Sequence, residues 1–122
     1  MMDIERIPGE FTICKVEDYS TVDLSRPFHF AGSTDRERSL VCPTEYVPAN
    51  AIIRDSGWRA FRIAGTLDFS LVGILAHASA LLAERGIGIF AVSTYDTDYI
   101  LTKSENYERA LDALAGDGWR VV

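Results

Sequence analysis

The segment at residues 58–122 alternates between two kinds of hydrophobic spacing, and this alternation restricts the fold more than any other feature of the sequence. Two stretches repeat their apolar residues at helical spacing: Leu71, Leu75, Ala78 and Leu82 in the first, and Tyr107, Leu111 and Leu114 in the second. Four stretches are typical of strands, at residues 58–64, 87–94, 98–102 and 119–122. The predicted order is therefore β-α-β-β-α-β.

That order is the split βαβ, or ferredoxin-like, arrangement, in which two helices cover one face of an antiparallel sheet. The ends of the helices fit this assignment, because Ser70 and Ser104 are suitable N-caps, and Gly86 in the first helix and Gly116 and Gly118 in the second stand where the helices end. The strand at residues 87–94 carries few charges, so we expect it to be buried on both faces. The fold class is α+β.

The first half of the sequence is a weaker copy of the same pattern. It is predicted to contain a strand at 11–16, a hairpin from 28–31 and 38–42, a short helical turn capped by Thr44, and a short strand at 51–53 that ends in a turn at 55–57. No stretch has the length of a first helix. We therefore predict two domains, a degenerate unit at residues 1–57 and a complete one at residues 58–122.

Charge and composition exclude several kinds of partner. The net charge of −6 disfavours nucleic acid, because phosphate backbones are repelled by an acidic surface. No apolar run is long enough to cross a membrane, and the N-terminus is acidic where a signal peptide would be basic. Cys14 and Cys42 form no CxxC motif and lie in apolar contexts, so we expect buried, reduced thiols and a cytoplasmic protein.

Three functions known on this topology lack their required residues. RNA recognition needs exposed aromatic residues beside basic ones, and Phe90 is the only aromatic residue in the second strand. Metal carriers place CxxC in the first loop, and acylphosphatase-like enzymes place an arginine there, but residues 67–70 read LDFS. We predict no metal, no cofactor and no catalytic residue, and hence no enzyme.

The connection between the second and third strands carries an unusual number of side-chain oxygens. It reads STYDTD at residues 93–98. Serine, threonine and aspartate are ordinary in turns, where they bond nearby amides. Asp98, however, opens a strand, where aspartate is disfavoured, and a carboxylate there could pair with a cationic group of a ligand. Both interpretations remain open on residue type.

Gly73 stands at the start of the first helix, where glycine is costly. One interpretation is that it makes room for a neighbouring strand. The other is that it lets a ligand approach the free amides of the first turn, which can bind a carboxylate.

Residues 72–102, VGILAHASALLAERGIGIFAVSTYDTDYILT, resemble the ACT domain of small bacterial proteins related to the arginine sensors of animal TOR signalling. The stretch RSLVCP at residues 38–43 is similar to a strand of a preceding ACT-like unit. The resemblance implies βαββαβ units in tandem, the first irregular, and an amino acid bound where two units meet.

Carried over from that family, three groups of residues would hold the amino acid. They are Leu71, Val72, Gly73 and Ile74 in the loop entering the helix, Thr94 and Asp98 in the strand turn, and Ser39, Leu40 and Val41 in the partner unit. The sensors carry acidic residues before the glycine, and this chain has Ser70, Leu71 and Val72. The resemblance therefore does not imply arginine specificity, while Asp98 keeps a cationic or other polar amino acid possible.

The resemblance thus implies a small regulatory sensor that binds an amino acid, acts on a protein partner and forms a homodimer or higher homo-oligomer through sheet edges. The alternative is an interaction module that binds no ligand and only assembles through those edges.

Overall fold

The computed structural model describes residues 2–64 and 73–122. The chain divides into two compact units: a discontinuous unit, Met1–Pro8 with Arg59–Val122, and an inserted unit, Gly9–Trp58. Strands β1 (Asp3–Val16) and β4 (Ala51–Ile63) supply residues to both units. None of the helices described has both the length and the apolar character needed to cross a membrane.

The discontinuous unit has the predicted ferredoxin-like order of helices and strands, so the α+β class is confirmed. Its own elements are α1 (Ile74–Glu84), β5 (Phe90–Ser93), β6 (Asp98–Lys103), α2 (Tyr107–Gly116) and β7 (Arg120–Val121). The strands lie in the order β1-β4-β6-β5, and β7 pairs with β1 in parallel, with Asp3 opposite Arg120.

Both helices pack on one face of this sheet. The predicted stripe of α2 is confirmed, since Tyr107, Leu111 and Leu114 are all buried in one core cluster. The same cluster contains Ala78 and Leu82 of α1 and the sheet residues Ile4, Phe61, Ile63 and Ile100. Leu71, the first residue of the predicted α1 stripe, lies outside the described residues.

The C-terminal ends of the helices were predicted correctly. Gly86 and Gly118 have φ of 70° and 97°, and in each case the next residue donates back to a helix carbonyl, Ile87 to Leu82 and Trp119 to Leu114. This is the Schellman arrangement, which favours glycine.

Of the two predicted N-caps, only Ser104 can be compared with the structure, and this prediction was wrong. Ser104 begins a 3₁₀ turn (Ser104–Asn106), and Asn106 occupies the N-cap of α2. The additional turn displaces the helix start by two residues. Ser70, the other predicted cap, lies outside the described residues.

The prediction that residues 87–94 form a strand buried on both faces was wrong. Strand β5 is shorter, Phe90–Ser93, and its residues alternate between half-buried and exposed. The reason is its position, because β5 is the last strand in the order and has β6 as its neighbour. A low count of charges does not distinguish an edge strand from a central one.

The inserted unit contains the strand order β2-β3-β1-β4, with β2 at Phe30–Ser33 and β3 at Arg38–Pro43. It has no α-helix over Gly9–Trp58, all of which is described. Its core includes Cys14, Val16, Leu40 and Cys42. Both cysteines are free and buried, and burial raises the pKa of Cys42 to about 12, so its thiol stays protonated.

The short helical turn predicted before Pro48 is confirmed as a 3₁₀ turn, but its cap and the turn at residues 55–57 were predicted wrongly. Thr44 begins its 3₁₀ turn (Thr44–Tyr46) and Pro43 holds the cap position. The chain also does not turn at residues 55–57, because β4 runs through them as one strand. Gly57 adopts φ of 85° within that strand, which is typical of a β-bulge, and its N–H donates to the Glu10 carboxylate at 3.1 Å.

The β2–β3 and β5–β6 hairpins have the same register, sixty positions apart. Phe30 pairs with Val41 and Ser33 with Arg38 in the first hairpin. Phe90 pairs with Leu101 and Ser93 with Asp98 in the second. A 3₁₀ turn follows each hairpin at the same offset. The two hairpins therefore provide an internal comparison for the residues of the predicted site.

Candidate functional site

The turn between β5 and β6 is held by its two threonines. The N–H and the hydroxyl of Thr94 both donate to the Thr97 carbonyl, at 2.9 and 3.1 Å. Thr97 is only 6% exposed, and its hydroxyl donates to the Ile63 carbonyl of β4 at 2.8 Å. The turn is thus closed on itself and attached to the neighbouring strand, which gives the flanking residues a defined position.

The β2–β3 turn uses the same chemistry at Thr34. Its N–H donates to the Glu37 carbonyl at 2.9 Å, and its hydroxyl accepts the Glu37 N–H at 3.1 Å. Ser-Thr therefore occurs at both hairpins, at residues 33–34 and 93–94, with the same local role. The hydroxyl of Thr94 is accounted for by turn formation, so the turn-chemistry interpretation holds for this side chain.

Asp98 differs from its counterpart in the other hairpin. It is half-buried at the first position of β6 and accepts a hydrogen bond of 2.6 Å from the Ser93 hydroxyl. The matching position of the β2–β3 hairpin holds Arg38, opposite Ser33. Because one hairpin geometry accommodates either sign of charge, turn formation does not account for the carboxylate of Asp98.

Gly73 is the N-cap of α1 and adopts φ of 83°. A Cβ added there would meet no atom of the described residues within 4 Å, so close packing against a described strand does not explain the glycine. The left-handed backbone conformation at this position explains why it is glycine. No side chain among the described residues caps α1, and the Gly73 carbonyl accepts the N–H of His77 at 2.8 Å.

The other predicted site residues are distributed as follows. Ile74 is half-buried and packs against the core of the discontinuous unit, and Leu71 and Val72 lie outside the described residues. In the inserted unit, Leu40 and Val41 are buried, and the Ser39 carbonyl accepts the Tyr19 hydroxyl at 2.8 Å. Of the three residues predicted in β3, only Ser39 therefore has a side chain that is not buried.

Two features near the predicted site did not emerge from the sequence. Tyr95, at the tip of the β5–β6 hairpin, is 80% exposed and so fills no pocket. His77 of α1 contacts Asp117 after α2, with 2.7 Å between Nε2 and Oδ2. No sequence signal links two residues forty positions apart on separate helices. Within the described ranges, no group of His, Cys, Asp and Glu residues is arranged to hold a metal ion.

Comparison with solved structures supports the fold. A protein from Agobacterium tumefaciens is 29% identical, with a TM-score of 0.85, over 99% of this chain and 92% of its own. A Vibrio cholerae protein of unknown function, a possible transport protein, is 24% identical, with a TM-score of 0.74, over 94% and 88%. Clostridium acetobutylicum aspartate kinase, an allosteric enzyme, is 15% identical, with a TM-score of 0.62, over 90% of this chain and 32% of the kinase. The last two show the fold alone.

A search of the curated proteins finds no match. The family model for the ACT domain matches residues 53–116, which is 64 of the 122 residues. This stretch covers α1, both strands of the β5–β6 hairpin and α2. The chain therefore belongs to the ACT domain family.

Proposed function

We propose that this protein is a small regulatory ACT protein that binds an amino acid and acts on a protein partner without catalysing a reaction. The observation that carries the proposal is Asp98, a half-buried carboxylate at a strand start that turn formation does not require. ACT domains are regulatory and often bind amino acids, and the family match supports that role here.

In this proposal the two ends of the amino acid are held by different chemistry. The free amides of the first turn of α1, entered through Gly73, bind the carboxylate, because helix N-termini attract anions. Asp98 pairs with an ammonium or guanidinium group through charge-assisted hydrogen bonds. Leu71, Val72, Ile74 and Thr94, with Ser39, Leu40 and Val41 of β3, remain the further predicted contacts.

A thermal-shift screen of the twenty amino acids tests this proposal. A ligand at one hundred times its Kd stabilises a protein by about 2.7 kcal/mol, which corresponds to a rise in Tm on the order of 10 °C for a chain of this size. We expect one or a few polar or cationic amino acids to give such a rise. If all twenty leave the Tm unchanged at millimolar concentration, the proposal is wrong.

We also place the protein in the subfamily of tandem ACT proteins related to the arginine sensors of TOR signalling, with residues 1–57 as a degenerate ACT-like unit. The matching registers of the two hairpins support a tandem arrangement. Free, buried cysteines are consistent with the cytoplasm as its compartment, because that environment keeps thiols reduced.

A second candidate function is assembly with another copy of the chain, either alone or together with ligand binding. It is favoured by Ile52 and Ile53, which are 60% and 65% exposed on β4. Neighbouring strand residues point to opposite faces, so β4, which lies between β1 and β6 in the strand order, exposes an apolar side chain on each face at this segment. Exposed apolar surface favours contact with another chain, so we propose that this segment joins two copies of the chain in a homodimer.

Sedimentation velocity tests the homodimer. We expect the wild type to sediment as a dimer, and Ile53→Lys to sediment as a monomer because it places a charge in the proposed apolar contact. Leu24→Lys is the matched control, since Leu24 is 57% exposed but lies outside every strand, and it should remain dimeric. A monomeric wild type, or two variants with the same behaviour, would contradict the proposed contact.

A further inference from the structure

Ser93 and Asp98 form the last residue pair of the β5–β6 hairpin before its turn. The Ser93 hydroxyl donates to Oδ1 of Asp98 at 2.6 Å, a length typical of a hydroxyl that is bonded to an ionised carboxylate. Among the described residues, no other side chain bonds this carboxylate and no cation pairs with it. Asp98 is half-buried, so its charge is partly removed from water without being neutralised by a cation of the described chain.

The hydrogen bond between these side chains is not part of the hairpin structure. The turn between Ser93 and Asp98 is already closed by its two threonines. In the β2–β3 hairpin, the matching serine, Ser33, stands opposite Arg38, so a serine at this position does not require an acidic partner. Of the two hairpins, only the one that carries the proposed site uses the serine hydroxyl to hold a carboxylate oxygen.

This bond makes the two oxygens of the Asp98 carboxylate unequal. Oδ1 accepts the Ser93 hydroxyl, whereas Oδ2 accepts no hydrogen bond from a described residue. Because the two residues stand opposite each other on paired strands, with their Cβ atoms close together, the bond also restricts the orientation of the carboxylate. A ligand therefore meets one oxygen that is open and one that is already shared.

Ammonium and guanidinium groups use a carboxylate differently. A guanidinium is a planar fork that binds both oxygens in parallel, so it must share Oδ1 with the Ser93 hydroxyl or displace that hydroxyl. An ammonium is a compact charge with three donors, and it can pair with Oδ2 while the bond from Ser93 stays intact. The bond from Ser93 therefore works against a guanidinium and not against an ammonium.

We propose that Ser93 determines the specificity of this site, and that it selects amino acids with a side-chain ammonium, such as lysine or ornithine, over arginine. The inference rests on the proposed function, in which Asp98 pairs with the cationic group of the ligand. Ser93 acts through Asp98 and is thus a positioning residue, because it sets how the carboxylate is presented to that group.

Isothermal titration calorimetry of the full-length protein with L-lysine, L-ornithine and L-arginine tests the proposal. We expect the better of the first two to bind at least about tenfold more tightly than arginine, because only arginine displaces a hydrogen bond to a charged group. Ser93→Ala should remove this preference, whereas Ser93→Thr keeps the hydroxyl and should retain it. Ser33→Ala is the matched control, because it removes the same side chain from the matching position of the β2–β3 hairpin, and it should also retain the preference.

The ratio of the Kd values separates specificity from a structural effect, because a variant that only disturbs the hairpin weakens all three ligands alike. Arginine bound as tightly as lysine and ornithine by the wild type, or a ratio unchanged in Ser93→Ala, would overturn the inference. Binding of another kind of amino acid without binding of lysine or ornithine would also overturn it, and would leave the proposed function standing. If none of the twenty amino acids and not ornithine binds, the proposed function is wrong and this inference is wrong with it.

Discussion

Tyr107→Ala is expected to lower the free energy of unfolding by about 4 kcal/mol, the range found when a buried aromatic side chain is truncated. Tyr107 is fully buried and packs against Phe61, with 6.3 Å between ring centroids. The guanidinium carbon of Arg59 lies 4.0 Å from the Tyr107 centroid. Since domains of this size are stable by roughly 5–15 kcal/mol, the variant should lose a large share of its stability.

The hydroxyl of Tyr107 contributes separately from its ring. It donates to the Ala60 carbonyl of β4 at 2.7 Å. Tyr107→Phe keeps the ring and leaves that carbonyl unpaired, which should cost roughly 1–2 kcal/mol. Burial raises the pKa of Tyr107, so the hydroxyl remains a donor throughout the neutral range.

Urea unfolding followed by circular dichroism measures both variants. Tyr95→Ala is the matched control, because it removes the same side chain from a position that is 80% exposed, and it should change stability by less than about 0.5 kcal/mol. If Tyr107→Ala is no more destabilised than Tyr95→Ala, the burial of Tyr107 does not stabilise the core of the discontinuous unit as predicted.

The features predicted correctly from the sequence are those that local chemistry determines. The stripe of α2 follows from spacing, and the helix ends at Gly86 and Gly118 follow from the left-handed backbone that glycine permits. The features predicted wrongly depend on distant segments. Residues 55–57 carry turn-forming residues, yet they lie within β4, where β1 is the neighbouring strand. Whether a strand is central or at an edge, as at β5, likewise depends on which strands lie beside it.

The residues of the candidate site also differ in how far the sequence alone could predict their roles. The sequence marks Thr94 and Asp98 equally as predicted ligand contacts. Only the hydrogen bonds and the comparison with the β2–β3 hairpin distinguish the roles of the two residues. Thr94 forms hydrogen bonds across its turn, as Thr34 does across the turn of the β2–β3 hairpin. Asp98, in contrast, occupies the position at which the β2–β3 hairpin has Arg38. The contact between His77 and Asp117 joins two helices, and helical periodicity within either one carries no information about it.

Asp98→Arg is expected to leave the fold intact and to weaken binding of the amino acid found in the thermal-shift screen at least about 100-fold. The fold should tolerate the change because Arg38 occupies the same position in a hairpin of the same register. Binding should fail because the substitution places a positive charge where the proposal requires a partner for a cationic group. A hydrogen bond to a charged group contributes roughly 1.5–3 kcal/mol, and repulsion adds to its loss.

Isothermal titration calorimetry with that amino acid measures the Kd, and circular dichroism checks the fold. Asp96→Arg is the matched control, because Asp96 is an exposed carboxylate in the same turn. As with Asp98, the matching position of the β2–β3 hairpin holds an arginine, Arg36. The control makes the same change in net charge and should alter the Kd by less than about tenfold, since exposed charges interact weakly.

If both variants weaken binding equally, the hairpin acts through its overall charge and Asp98 makes no direct contact. If Asp98→Arg binds as the wild type does, the carboxylate is no part of the site, and the ligand must be held by α1 and the remaining predicted contacts.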